Sequence, residues 1–306
     1  MKVLIAVDGS SGGFEAVHQA GQLLQPGRDQ VAFYYSPPGI KFDSGSAEPA
    51  VIERARGLLA EAVFGEATRM LPEGLQANVE KIIDDQSPKQ GIVTRAELWH
   101  ADLIALGARG LGPIERLLLG SVSSSVVQSA RVPVLIARPR PADRTHQPLR
   151  VLVTCESAAE DGYLASVVNA FNWPQGTEGF TIAVVQSMFA GQVPKWLEER
   201  ARSEEVDAMA RVWVAEHEAE IKSKRSEIAS FDASLPEPFR PAEPIVVEGH
   251  PADKILVTVK ERKIDLVILG ARTPASVAKF LMGSTSSTVL SHAPCSVLIV
   301  REGRQH

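Results

Sequence analysis

The sequence predicts an α/β protein of two tandem doubly wound units, each a five-stranded parallel sheet with helices on both faces. Three observations predict it. Short unbroken apolar runs, such as VLIAV at 3–7, alternate with stretches whose apolar residues recur every three or four positions. That is the pattern of buried parallel strands alternating with helices. A block beginning at residue 100 returns near residue 263, and a proline- and charge-rich segment, RPRPADRTHQP at 138–148, divides the chain. Domain boundaries favour such composition.

The elements follow in order. After the strand at 3–7, Ser10 or Ser11 caps a helix carrying Phe14, Val17, Ala20 and Leu24 at helical spacing. Residues 31–35 form a second strand, ended by SPPG. A helix from 49 to 71 rests on Val51, Ala55, Leu58, Leu59, Ala62, Val63, Ala67 and Met70. Residues 78–83 alternate weakly and read as an edge strand, and Ser87 opens a helix reaching His100. A strand at 103–106, a helix at 121–130 and a strand at 134–137 complete the unit. The second unit repeats this with strands near 150–155, 181–186, 244–248, 265–269 and 297–300. Its extra length falls in a charged helical stretch from 195 to 230, with Trp196, Val206, Met209, Trp213 and His217 as the packing stripe.

The repeat is direct. Residues 100–138 align with 263–301 at a constant offset of 163, and 17 of the 39 positions are identical. They include Asp102/Asp265, Gly107/Gly270, Arg109/Arg272, Gly120/Gly283, Ser121/Ser284 and Arg138/Arg301. The unit starts, KVLIAVD and RVLVTCE, match at an offset of 148. The expected domains are residues 1–140 and 149–306.

Composition narrows the function. A net charge of −5 argues against a nucleic-acid binder driven by bulk electrostatics. No apolar run reaches the roughly 18 residues of a membrane span, and the first strand is too short for a signal-peptide core. A cytoplasmic location is therefore expected. Cys155 and Cys295 fall at strand ends on the order of 15–20 Å apart, too far for a disulfide. No cluster has metal-ligand spacing, no Gly-x-Ser-x-Gly elbow appears, and no nucleophile is paired with a base. No catalytic residue is expected.

The stretch GARGLGPIERLLLGS, from Gly107 to Ser121, carries the chemistry. It lacks the Gly-Lys-Ser/Thr of a P-loop and the third glycine of a Rossmann fingerprint. Ligands of open parallel sheets sit beyond the carboxyl ends of strands where strand order reverses. Asp8 and Gly107 both follow such ends. Gly107 and Gly110 are expected to bend the backbone close to a sugar or phosphate. The amides of Ser121, Val122 and Ser123, at a helix start, favour an anion. The Ser121 and Ser123 hydroxyls and Arg109 are expected to assist.

Gly107-x2-Gly110-x9-Gly120-Ser121, with Asp8 after the first strand, resembles the nucleotide-binding pattern of the universal stress protein family. The resemblance covers essentially the whole chain as two tandem family domains. It implies a sheet order of 3-2-1-4-5 and binding of ATP, ADP or AMP in some members, with magnesium accompanying the phosphates. It implies that Ala6, Val7 and Ser36 flank the adenine and that Leu106 packs on the sugar or base. It implies a signalling or regulatory role. In the family the last strands pair between subunits; here the two units are expected to pair within one chain, with a homodimer as possible further assembly. The second unit departs from the pattern: Thr273-Pro274 stands where Gly110 stands, and Glu156 replaces Asp8. A β-branched residue before proline resists the required backbone, so that site is expected to bind nucleotide weakly or not at all. The alternative is a scaffold in which neither unit binds one.

Overall fold

The computed structural model describes residues 1–37, 49–109, 119–157, 161–186, 204–271 and 283–301, without the side chains of 49, 204–214 and 217. The first half runs β1 (Lys2–Ala6), α1 (Ser11–Gln22), β2 (Gln30–Tyr35), α2 (Pro49–Met70), α3 (Glu73–Gln76), β3 (Glu80–Ile83), α4 (Pro88–Trp99), β4 (Leu103–Gly107), α5 (Ser121–Ser129) and β5 (Val134–Ala137). The second runs β6 (Arg150–Thr154), α6 (Gly162–Ala170), β7 (Glu178–Val185), α7 (Glu204–Ser234), β8 (Ile245–Glu248), α8 (Pro251–Glu261), β9 (Leu266–Gly270), α9 (Ser284–His292) and β10 (Ser296–Val300). Trp196 and the side chains of Val206, Met209, Trp213 and His217 lie outside the described residues.

Each half has the order 3-2-1-4-5, but the halves are not separate sheets. They form one ten-stranded sheet, β3-β2-β1-β4-β5-β10-β9-β6-β7-β8. All pairings are parallel except the central one, where β5 and β10 run antiparallel with Leu298 opposite Leu135. The last strands are fully buried, so leaving either unpaired would leave a row of backbone groups unsatisfied.

Alternation along the strands builds two apolar layers. Val3, Ile5, Phe33 and Tyr35 point into one, with Phe64 of α2; Leu4, Tyr34, Ile104 and Leu106 point into the other, with Ile92 of α4. Both layers run across the seam into the second half. Cys155 lies in the first and Cys295 in the second, both as buried free thiols. Burial pushes both thiols up to about 12.

Residues repeated at offset 163 brace the seam. Arg138 donates to Leu290 O (2.7 Å) and Cys295 O (3.3 Å), and Arg301 donates to Gln128 O (3.3 Å). Each thus satisfies a carbonyl in the last turn of the opposite unit's final helix. Asp102 and Asp265 accept the amide N–H at the start of the neighbouring first strand, Lys2 at 2.7 Å and Arg150 at 2.9 Å. Asp265 is also buried under the linker, where Arg144 (2.9 Å) and Arg140 (3.2 Å) hold it. Among the described residues no helix is long and apolar enough to cross a membrane.

Candidate functional site

The order reverses between β1 and β4, which pair with Ala6 opposite Leu106. Their carboxyl ends, with those of β2 and the starts of α4 and α5, enclose a cleft of about 120 Å³. Ala6, Val7, Asp8 and Ser36 line one side; Leu106, Gly107, Arg109, Val122 and Ser123 line the other. The structure thus brings nine of the sequence-predicted residues to one place. Gly120 and Ser121 form the start of α5 at its mouth, and Gly110 lies outside the described residues. Gly13, Tyr34, Pro88 and Ile92 also line the cleft and were not anticipated.

Local chemistry refines several roles. Asp8 Oδ1 accepts the Ser10 amide (3.0 Å) and hydroxyl, and Ser10 Oγ accepts the Gly13 amide (3.1 Å). Asp8 therefore shapes the loop that caps α1. Gly107 does not serve as a bend of unusual backbone, since its φ is not positive. Instead, a Cβ there would lie 2.9 Å from Gly12 Cα and closer still to the Gly12 carbonyl. The missing side chain lets the start of α1 pack on the end of β4. Gly120 is the N-cap of α5, and its amide bonds Ala108 O at 2.8 Å. The first intrahelical bond of α5 runs from Ser124 N to Gly120 O, so the amides of Ser121, Val122 and Ser123 have no acceptor within the helix. The Ser123 hydroxyl, expected to serve a ligand, donates to Gly107 O at 2.8 Å and ties α5 to β4. Ser36 Oγ donates to Gln86 O at 2.9 Å.

Behind the β2 side lies a charged pair. Asp84 Oδ2 accepts from Arg95 Nε (2.7 Å) and Oδ1 from the Gln86 amide (3.0 Å). Burial favours the neutral acid, but the Arg95 bond and the backbone amides outweigh it and hold the carboxyl below its ordinary range. Among the described residues no group of three His, Cys, Asp or Glu side chains is placed to hold a metal ion.

The sequence profile of the universal stress protein family matches residues 1–138 and 193–301. The chain belongs to the universal stress protein family. A universal stress protein of Mycolicibacterium smegmatis is 32% identical over 147 residues, 46% of this chain and 46% of the relative. One of Synechocystis is 30% identical over 149 residues, 45% of this chain and 97% of the relative. One of Mycobacterium tuberculosis is 29% identical over 208 residues, 66% of this chain and 63% of the relative. The match thus spans about half the length of the first of these curated relatives. A solved universal stress protein of Archaeoglobus fulgidus shares the fold, with a TM-score of 0.61 and 21% identity over 99% of this chain and 98% of its own.

As a universal stress protein with two units, the chain carries its own comparison. Ser286 donates to Gly270 O at 3.2 Å, and Gly283 is the N-cap of α9, reproducing Ser123 and Gly120. The loop after β6 differs. Asp161 stands at the position of Gly13, and its Oδ2 accepts the amides of Glu156 (2.7 Å) and Ser157 (3.0 Å). A Cβ on Gly13 would lie 2.9 Å from Asp8 Oδ1. So the carboxylate that holds the loop amides comes from the helix N-cap in one unit and from the strand end in the other. Lys224 of α7 closes on the same loop, donating to Glu156 O at 2.6 Å. Thr273 and Pro274 lie outside the described residues.

Proposed function

We propose that this chain is a nucleotide-binding stress protein with two domains, residues 1–140 with the intact nucleotide motif and 149–306 with a degenerate one, and that the first binds an adenine nucleotide. The observation that carries this reading is the convergence of Asp8, Leu106, Gly107, Arg109, Val122 and Ser123 on one cleft where strand order reverses. The enclosed volume is below the roughly 300–1,000 Å³ of a pocket that swallows a whole ligand. It suits a single ring system. The adenine then lies between Ala6–Val7 and Ser36, the ribose near Asp8, and the phosphates outside it, over the amides of Ser121, Val122 and Ser123. Arg109 supplies the cation. Magnesium, where it accompanies ATP, is carried on the phosphates with most of its water, since it does not need a protein cage.

The role is regulatory: the described residues that line the cleft serve as binding groups. The pairing of the two units across β5 and β10 is the proposed state in the cytoplasm, with any homodimer built on other surfaces. The second unit binds nucleotide weakly or not at all, because Thr273-Pro274 stands where Gly110 stands and Glu156 replaces Asp8.

Isothermal titration of the purified chain with AMP and ATP tests this. About one nucleotide per chain is expected. No heat at millimolar ligand, together with no nucleotide in an acid extract of the native protein, overturns it in favour of a nucleotide-independent scaffold.

A further inference from the structure

Tyr34 carries a buried polar atom in the cleft. It is 1% exposed, it lines the cleft, and its hydroxyl has no hydrogen-bond partner among the described residues. A buried hydroxyl left unpaired is destabilising. Asp84 is held by Arg95 and the Gln86 amide, and Ser36 gives its proton to Gln86 O. Ser36 lies close enough to influence the phenol but makes no bond of proper geometry to it. Burial and the nearby Asp84 carboxylate push the phenol up to about 12, so it keeps its proton at neutral pH.

The helix facing it makes room at its own expense. A Cβ on Gly91 would overlap Tyr34 Oη, and would lie 3.3 Å from Asp84 Oδ2. Glycine inside a helix is itself unfavourable compared with alanine.

The fold does not need this arrangement, because the second unit builds the same positions without it. At the offsets that relate the units, Tyr34 corresponds to Ile182, Asp84 to Val247, Gly91 to Lys254 and Arg95 to Thr258. The backbone is unchanged: Tyr34 O accepts the Val7 amide at 2.9 Å, and Ile182 O accepts the Cys155 amide at 2.8 Å. Ile182 is as buried as Tyr34 and lies in the same apolar layer. A hydroxyl, a carboxylate, a guanidinium and a helix glycine thus occur together only in the unit with the intact glycine pattern.

We propose that Tyr34 is the base-reading residue of the first unit, its hydroxyl completing its hydrogen bonding on the edge of the bound heterocycle. The inference rests on the nucleotide reading above and assigns one side chain within it. Tyr34 stands on the β2 side of the cleft with Ser36, Pro88 and Ile92, away from the start of α5 that faces the phosphates. It therefore acts on the base and not on the sugar phosphate. The ligand class is a planar nitrogen heterocycle with a donor or acceptor on its buried edge.

The test is Tyr34→Phe, which removes one oxygen, with Tyr34→Ile copying the second unit. AMP and ribose 5-phosphate are titrated into wild type and variants, and Tm is measured without ligand. The expected result is at least tenfold weaker AMP binding in Tyr34→Phe, under twofold change for ribose 5-phosphate, and an unliganded Tm equal to or above wild type. Wild-type AMP affinity in Tyr34→Phe overturns the proposal alone and leaves the hydroxyl to a bridging water. Equal weakening of AMP and ribose 5-phosphate, or a lowered Tm, also overturns it, because the hydroxyl is then structural. Wild-type protein that binds neither ligand overturns the nucleotide reading and this inference together.

Discussion

Two glycines that align residue for residue, Gly107 and Gly270, answer to different neighbours. A methyl on Gly107 would press into the Gly12 backbone, which cannot give way as a flexible side chain can. On Gly270 it would meet Asp161 Oδ1 and Leu164 Cδ1 at 3.5 Å, ordinary contact. Gly107→Ala should therefore cost about 3 kcal/mol, and Gly270→Ala less than about 0.5 kcal/mol. Urea titration of both variants checks the difference; equal costs would remove the close packing of α1 on β4 as the reason for Gly107. Sequence inspection found the residue but not this neighbour. The glycine spacing was visible, but the neighbour that demands it lies 95 positions away. Tyr34 escaped for a related cause. In QVAFYY it reads as one more strand aromatic, and only the third dimension shows a buried hydroxyl with no partner among the described residues.

At the scale of elements, the strands were the most legible parts. Runs buried on both faces, such as 103–107 and 134–137, announce themselves by composition alone. The edge strand β3, mostly exposed, was placed two residues early at its start. What composition could not show is how elements are pinned to one another. Asp102 and Asp265 look identical in the repeat, yet Asp102 is exposed and Asp265 is buried beneath linker arginines. Asp265→Ala leaves Arg144 buried without its carboxylate and should cost about 3–5 kcal/mol. Asp102→Ala loses one exposed bond to Lys2 N and should cost about 1 kcal/mol. Thermal unfolding of the two variants checks the ranking, and a larger loss for Asp102→Ala would contradict it. Alignment sets Glu156 at the position of Asp8 and does not show that the loop amides of the second unit are held by Asp161, five residues on.

For the whole molecule, the continuous sheet predicts one cooperative structure. Both apolar layers cross from one half to the other through β5 and β10, and the final arginines reach across the same line. Cys155 and Cys295 report on opposite layers of the second half, and burial keeps both thiols protonated well above neutral pH. Neither should react with a thiol reagent at pH 8 in the native state. In denaturant both should become reactive at one midpoint, coincident with loss of helix by circular dichroism. A thiol midpoint separated from the circular-dichroism transition would show that the second half melts independently of the first.

The antiparallel pairing of β5 with β10 has one more consequence. Two identical subunits joined by such a pairing are bound by their twofold axis, and any substitution in one site is made in the other. Here the partners are consecutive stretches of a single chain, so the axis is only approximate and each site varies alone. Tyr34 faces Ile182 across that broken symmetry, and Gly13 faces Asp161. One chain thus carries two related loops that differ in their residues, always in a ratio of one to one.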